Sequence, residues 1–152
     1  MPAALAGYGG DENFGGYRRY RRHMMEERMR RLLPLSLRRP VFGMLAGAYP
    51  KADWAPRMFR AKSTFEALGR DPVEAYCHGI SILRDGMRRR LFTGAFRAQL
   101  GGYSALEVFR RHAKGADTDD PLALVQYLDL KTYLVGDINT KVDRASMAHS
   151  LE

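Results

Sequence analysis

Glycines surround a carboxylate near the start of the chain, in the run Leu5-Ala6-Gly7-Tyr8-Gly9-Gly10-Asp11-Glu12. A glycine turn between a strand and a helix directs backbone N–H groups toward the helix start, where a phosphate binds well. Asp11 at this point can hold Mg²⁺, which in turn bridges phosphate oxygens. The same residues also fit an ordinary glycine turn with Asp11 as a helix N-cap, and spacing alone favours this simpler interpretation.

A second charged set lies near the end of the chain, where Lys141, Asp143 and Arg144 are close to the small residues Ala145 and Ser146. Small residues permit close backbone approach, and the charged groups can clamp a carboxylate or a phosphate. By residue type alone, the segment is also an ordinary amphipathic helix.

Histidine and cysteine offer little for metal binding or nucleophilic catalysis. Cys77 is the single cysteine, which excludes an internal disulfide and a zinc site built on several thiolates. We expect Cys77 to be a small buried apolar residue, because it and the adjacent His78 point in different directions on a helix. The four histidines lack metal-binding spacing: His23, His78, His112 and His149.

Positive charge dominates, with 25 Lys and Arg against 17 Asp and Glu and a net charge of +8. Such a surface attracts polyanions. Nine arginines lie between Arg18 and Arg39, and the interleaved Tyr17 and Tyr20 can stack on bases. The tyrosines also lie at core spacing, so we favour a solvated basic face or one that meets acidic groups of the same protein.

The elements that carry these residues are predicted to be mostly α-helical. A short strand is expected over residues 3–6 and a helix from Asp11 to Pro34. Further helices are expected after Pro40 and from an Asp53 cap to Leu68, with Gly69 as the C′ residue.

The second half of the chain carries repeated cap signals. Asp71-Pro72 predicts the N-cap and first residue of a helix that reaches about Leu83. Thr93 and Ser104 predict two more short helices. Two final helices are predicted, over 122–134 after Asp120-Pro121 and from about Ile138, capped by Asp137, to Ala148.

Composition limits the function classes. The chain has 152 residues, of which 45% are hydrophobic and 28% charged, as in an ordinary globular domain. No apolar run approaches the ~20 residues needed to cross a bilayer, and the first residues do not resemble a signal peptide. We expect a cytoplasmic protein with no membrane partner.

Two segments resemble the asparagine synthetase (glutamine-hydrolysing) family. One is Gly9-Gly10-Asp11-Glu12 with Phe14-Gly15-Gly16-Tyr17-Arg18-Arg19-Tyr20, and the other runs from Lys141-Val142-Asp143-Arg144 to Glu152. Both occur in the family in this order at about this separation. The resemblance implies the helical part of an adenine-nucleotide α-hydrolase-like synthetase domain, which is the family's C-terminal ATP-pyrophosphatase domain.

The resemblance also implies an activity. In the family, ATP adenylates a carboxylate, commonly that of aspartate, and pyrophosphate leaves. Ammonia from glutamine then gives the amide and AMP. The implied cofactors are ATP and Mg²⁺, with Asp11 as the magnesium residue and Arg144 and Met147 lining a pocket shared with the turn. The implied ATP and pyrophosphate turn comprises Ala6, Gly7, Tyr8, Gly9 and Asp11.

The chain departs from the family pattern in four respects. It has neither a glutaminase with an N-terminal catalytic cysteine nor the Ser-Gly-Gly-x-Asp-Ser pyrophosphate loop. Ala6 replaces a serine and Tyr8 replaces a carboxylate. We therefore interpret residues 1–152 as one partial domain whose partners are the remaining synthetase and glutaminase parts.

The isolated chain is accordingly expected to be inactive and to self-associate through an exposed apolar face. Two alternatives are a basic helical module that binds nucleic acid, which we regard as the weaker hypothesis, and a non-catalytic scaffold.

Overall fold

A computed structural model describes residues 7–49 and 61–150, and helices account for most of them. No strand occurs in these ranges, so the mostly α prediction is confirmed. The strand predicted over residues 3–6 and the predicted cap at Asp53 lie outside the described residues. The helices are α1 (Gly10–Phe14), α2 (Arg18–Arg30), α3 (Leu35–Ala48), α4 (Lys62–Leu68), α5 (Pro72–Ile80), α6 (Asp85–Leu91), α7 (Gly94–Gln99), α8 (Ala105–Lys114), α9 (Pro121–Asp129), a π-helix (Leu130–Asn139) and α10 (Thr140–Ala148).

The prediction of one helix from Asp11 to Pro34 was wrong, because the chain turns between α1 and α2. Gly15 ends α1 with φ of +71°, in the left-handed region that glycine adopts at low cost. Periodicity cannot detect such a break, since the apolar spacing of Tyr17 and Tyr20 continues the pattern set before it.

The start predicted at Pro40 was also wrong. Helix α3 begins directly after Pro34, and Pro40 lies inside it. Proline removes one helix hydrogen bond, but both Pro40 and Ser36, which would have supplied the carbonyl acceptor, are exposed to solvent. Helix α4 ends before Gly69 as expected, although Gly69 is a C-cap with φ of −74° rather than a left-handed C′ residue.

Side-chain caps begin three helices where the sequence predicted them. Asp71 accepts from the N–H of Glu74 at 2.8 Å, and Thr93 accepts from that of Phe96 at 3.2 Å. Asp120 accepts from Leu122 and Ala123. Ser104 also precedes its predicted helix, α8. Helix α5 ends at Ile80, short of the predicted Leu83, and the short helix α6 was not predicted.

The C-terminal region does not divide into two helices as predicted. Helix α9 continues without interruption through the π-helix into α10. Asp137 is not an N-cap but lies inside the π-helix, where it pairs with Lys141 at 2.6 Å. Gly136 does not end the helix, so a glycine signal alone was insufficient evidence for a break here.

The chain forms two compact units, residues 1–24 with 111–152, and residues 25–110. The first unit buries Tyr20, Val125 and Leu128. The core of the second is rich in small residues and includes Cys77, as predicted: Ala46, Ala67, Leu68, Ala75, Tyr76 and Cys77. None of the helices in the described ranges has the length and apolar character to span a membrane.

The second unit also exposes an apolar stripe along the end of α2 and along α3. Met25 and Met29 belong to this stripe and are 66% and 40% exposed, so neither side chain fills the core. The stripe repeats at helical spacing and comprises Met25, Met29, Leu32, Leu33, Leu37, Val41, Met44 and Leu45.

Candidate functional site

The glycine turn at the start of α1 depends on Gly9. This residue is the N-cap, with φ of +94°, and its carbonyl accepts from the backbone N–H and the side-chain amide of Asn13 at 3.1 and 2.8 Å. Gly9 also lies against Leu134 of the π-helix. Asp11 is therefore not the N-cap, which corrects that interpretation, but it does lie in the first turn of α1.

The Asp11 side chain is exposed and lies over Gly16. The backbone N–H of Gly16 donates to the Asp11 carbonyl at 3.0 Å. The Asp11 carboxylate occupies the space where a Cβ on residue 16 would lie. The pair Gly15-Gly16 thus performs two functions, since Gly15 reverses the chain and Gly16 leaves room for the carboxylate.

Glu12 is the buried residue of α1, with only 1% of its surface exposed. The Tyr17 hydroxyl donates to Glu12 Oε1 at 2.8 Å. Gln126 of α9 donates to the carbonyls of Glu12 and Asn13 at 2.8 and 3.0 Å. Burial, together with the bond to Glu12, raises the pKa of Tyr17 to about 12. These bonds fix the turn to α9.

Asp129 is a second buried carboxylate of this unit, at the end of α9, and its exposure is 0%. Its Oδ2 accepts from the Tyr20 hydroxyl at 2.6 Å and from Arg19 Nη2 at 2.7 Å. The Arg19 guanidinium lies 3.8 Å from the ring centre of Tyr17 and 4.5 Å from that of Tyr133. Burial is the main cause of the raised pKa of Tyr20, and the bond to Asp129 adds to it.

Glu12 and Asp129 therefore have structural roles. Tyr17 binds the Glu12 carboxylate, and Tyr20 and Arg19 bind that of Asp129. Neither carboxylate was predicted to have this role. The available signal was Asp129 itself, one acid within an apolar helix, which requires an internal partner. Burial of Tyr20 excludes it from base stacking. Arg19 meets an acidic group of the same protein, as one of the two favoured interpretations predicted.

The remaining predicted site residues are on the surface or outside the described ranges. Tyr8 is 55% exposed and Met147 is 58% exposed, and Gly7 and Arg144 are exposed as well, whereas Ala6 lies outside the described residues. Within residues 7–49 and 61–150, no hydrogen bond or ion pair joins Arg144 or Met147 to the turn. A pocket shared by these residues remains a prediction.

Asp11 is a suitable ligand for a metal ion that brings its own oxygen ligands. No group of three His, Cys, Asp or Glu side chains that can hold a metal occurs in the described residues. Mg²⁺ commonly takes one or two protein carboxylates and fills its other positions with water and substrate phosphates. The exposed Asp11 fits that pattern and does not fit a site made of protein groups alone.

Known proteins resemble the chain along its whole length. The sequence profile of the family described as asparagine synthase matches residues 1–152. Asparagine synthetase [glutamine-hydrolyzing] 1 of Bacillus subtilis is 28% identical over 152 residues, which are 100% of this chain and 22% of the relative. The putative asparagine synthetase [glutamine-hydrolyzing] of Mycobacterium bovis is 32% identical over 152 residues, again 100% of this chain and 22% of the relative.

The chain thus spans about a fifth of the length of these relatives, 22% in each case. No solved structure matches it. The resemblance seen at both ends of the sequence is confirmed by the match that covers the chain from end to end. The chain belongs to the asparagine synthase family.

Proposed function

We propose that this chain is part of an ATP-dependent amide-forming ligase that converts aspartate, ATP and glutamine to asparagine, AMP and pyrophosphate. The family match over residues 1–152 is the observation that carries the proposal. Support also comes from the relatives, whose names describe glutamine-hydrolysing asparagine synthetases.

In this proposal, the glycine turn that leads to Asp11 faces the phosphates of ATP. Asp11 would supply one carboxylate to Mg²⁺, and the ion, when bound, would supply positive charge where pyrophosphate leaves. The protein's own contribution is rigidity. Glu12, held by Tyr17 and Gln126, fixes the backbone next to Asp11, and Gly16 leaves room for the Asp11 carboxylate because it has no side chain. Arg144 and Met147 are proposed to line the substrate pocket.

A chimaera tests this function directly. In the Bacillus subtilis relative, the segment that matches this chain is replaced by residues 1–152, and AMP formation is measured with aspartate and either ammonia or glutamine. We expect aspartate-dependent AMP formation. Asp11→Asn in the chimaera should lower it about 100-fold, which corresponds to about 2.7 kcal/mol of transition-state stabilisation.

Asp117→Asn is the matched control, because Asp117 is another exposed aspartate. It should leave AMP formation within about twofold. A folded chimaera that makes no AMP, or that loses no activity on Asp11→Asn, contradicts the proposal. If the chimaera does not fold, a second measurement takes the place of the activity assay. This measurement is the binding of magnesium pyrophosphate to the 152-residue chain and to its Asp11→Asn and Asp117→Asn variants.

The chain by itself is proposed to have no turnover, since the family's glutaminase and pyrophosphate loop are not among its 152 residues. Purified chain should release neither AMP nor pyrophosphate from ATP in the presence of aspartate and ammonia. Clear turnover that Asp11→Asn abolishes would show that the 152 residues suffice.

A non-catalytic scaffold is the second candidate, and two residues favour it. Ala6 lacks the hydroxyl and Tyr8 lacks the carboxylate expected from the family, and Tyr8 is exposed at the turn. Ala6→Ser with Tyr8→Asp in the chimaera should raise AMP formation if these positions only weaken the enzyme. An inactive chimaera that the pair of substitutions restores would identify the natural chain as the scaffold.

The apolar stripe over α2 and α3 is proposed to contact another part of the longer protein. In the isolated chain it is expected to cause self-association. Leu37→Glu with Met44→Glu should shift the sedimentation coefficient of the chain to that of a monomer at high protein concentration. The stripe has no such role if the natural chain is itself monomeric under those conditions.

A further inference from the structure

A second positively charged region lies outside the two segments that resemble the family. Between residues 84 and 104 the sequence contains five arginines and one aspartate. The segment forms α6, α7 and the turn that leads into α8. Such a local excess of positive charge attracts anions.

An open cavity of about 350 Å³ lies in this region of the second unit. Arg88 and Arg89 of α6 line one part of it, and Arg97 of α7 lines another. Phe92 and Tyr103 supply aromatic surface. Among the side chains that the structure describes, those that line this cavity include cationic and aromatic groups and no acid.

Two successive glycines shape the turn beside the cavity. Gly101 and Gly102 have φ of +56° and +80°, so the chain reverses where other residues would be strained. The N–H of Tyr103 closes the turn on the Leu100 carbonyl at 2.8 Å. Tyr103 follows this turn and is 56% exposed at the cavity. Phe92 is fixed instead by an edge-to-face contact with Phe96, with ring centres 4.9 Å apart.

Two arginines of this cavity, Arg89 and Arg97, differ from the buried arginines of the same unit. Arg30 pairs with Glu26 and Glu27, and Arg38 donates to backbone carbonyls. The side chains of Arg89 and Arg97 are exposed and make no hydrogen bond or ion pair with the residues whose side chains the structure describes. Two guanidinium groups without a partner can therefore take a phosphate in bidentate geometry.

We propose that this cavity binds a nucleotide, with Arg89 and Arg97 on the phosphate and Tyr103 stacked on the base. The volume of about 350 Å³ lies within the range of small-ligand cavities, which starts at about 300 Å³. Stacking on an exposed aromatic ring suits any base, so the recognised chemistry is a phosphate beside a flat ring. The nucleotide can be free or part of a single strand. The site needs no residue of the proposed synthetase turn.

Fluorescence anisotropy of the 152-residue chain tests the proposal with two probes, labelled AMP and a labelled ten-residue oligoadenylate RNA. The double variant Arg89→Ala with Arg97→Ala should lower the affinity for whichever probe binds at least tenfold. Arg21→Ala with Arg28→Ala is the control, since it removes the same charge from exposed positions of α2, and it should change affinity less than twofold. Tyr103→Phe should retain binding, and Tyr103→Leu should weaken it several-fold.

The two probes distinguish the source of the nucleotide. If AMP binds as tightly as the RNA, the ligand is a free nucleotide. If only the RNA binds, the ligand is a strand, and the double variant should reduce the slope of log affinity against log salt by about 0.7 for each lost phosphate contact.

Three results overturn the proposal. The first is an equal loss of probe affinity in the two double variants. The second is competition by inorganic phosphate as strong as that by AMP. The third is competition by polyglutamate as strong as that by RNA. Asp11→Asn separates this site from the proposed synthetase turn. If this substitution abolishes probe binding, the probe binds at the turn and not in the cavity. The experiments can thus contradict the nucleotide site while they support the proposed function, or contradict the proposed function while they support the nucleotide site.

Discussion

The Tyr20 hydroxyl donates to Oδ2 of Asp129 at 2.6 Å, and both side chains are almost completely buried. This bond joins α2 to the end of α9 across 109 residues of sequence. Arg19 binds the same oxygen, so the charge of Asp129 is met by a cation and by a phenol together. The arrangement explains how a carboxylate is tolerated in the core of this unit.

Tyr20→Phe removes one donor and leaves the rest of the core in place. We expect a loss of about 1–3 kcal/mol in the free energy of unfolding, because a buried carboxylate loses a hydrogen bond. Urea denaturation measures the loss. Tyr103→Phe is the control, since the Tyr103 hydroxyl is at the surface, and it should change stability by less than about 0.5 kcal/mol. Equal effects of the two variants would show that the Tyr20 bond adds no stability.

Tyr17 makes the free energy of unfolding depend on pH in the alkaline range. Its pKa is raised from 10.0 to about 12 by burial and by the bond to Glu12, so folding favours the neutral phenol. This contribution is complete below the ordinary pKa and is lost as pH rises from about 10 toward the folded value. Tyr17→Phe should make the free energy of unfolding fall less steeply over that range. The same slope in both proteins would contradict the raised pKa.

Arg38 and its neighbour Arg39 should differ sharply in their importance for stability. Arg38 is buried and donates to the carbonyls of Leu33, Leu68 and Arg70 at 2.9, 2.6 and 3.1 Å. Burial is also the main cause of its lowered pKa. Arg38→Ala leaves buried acceptors unmet, at about 1–3 kcal/mol for each unsatisfied group.

Arg39 is 66% exposed and lies 3.8 Å from Glu74. Arg39→Ala should therefore cost less than about 1 kcal/mol. Both values come from the same urea denaturation measurement. Similar costs for the two alanine variants would disprove a special role for Arg38.

Gly16→Ala tests the position of the Asp11 carboxylate. The added methyl group overlaps that carboxylate and should displace it toward solvent, at a cost of about 1 kcal/mol or less because the side chain is exposed. In the chimaera, AMP formation should fall at least tenfold. Gly79→Ala adds a methyl group in open space within α5, outside the turn, and should retain activity. Retained activity in Gly16→Ala would mean that the position of Asp11 is unimportant.

The sequence by itself determined the helical class, the family and several helix starts. These features depend on local interactions, such as the hydrogen bonds from Asp71, Thr93 and Asp120 to the first backbone N–H groups of their helices. Local signals failed at glycines and a proline, because each of these residues can either end a helix or lie inside one. Gly15 broke a helix that periodicity continued, whereas Gly136 and Pro40 were accommodated inside helices.

Only the tertiary structure decided which charged side chains are buried. Arg38 and Arg39 are identical by residue type, and nothing in their spacing separates the three carbonyl bonds of one from the exposure of the other. The roles of Glu12 and Asp129 likewise depend on Tyr17, Tyr20 and Arg19, which reach them through the packing of separate helices. A buried charge requires partners on all sides, and for Asp129 those partners lie more than a hundred residues away in the sequence.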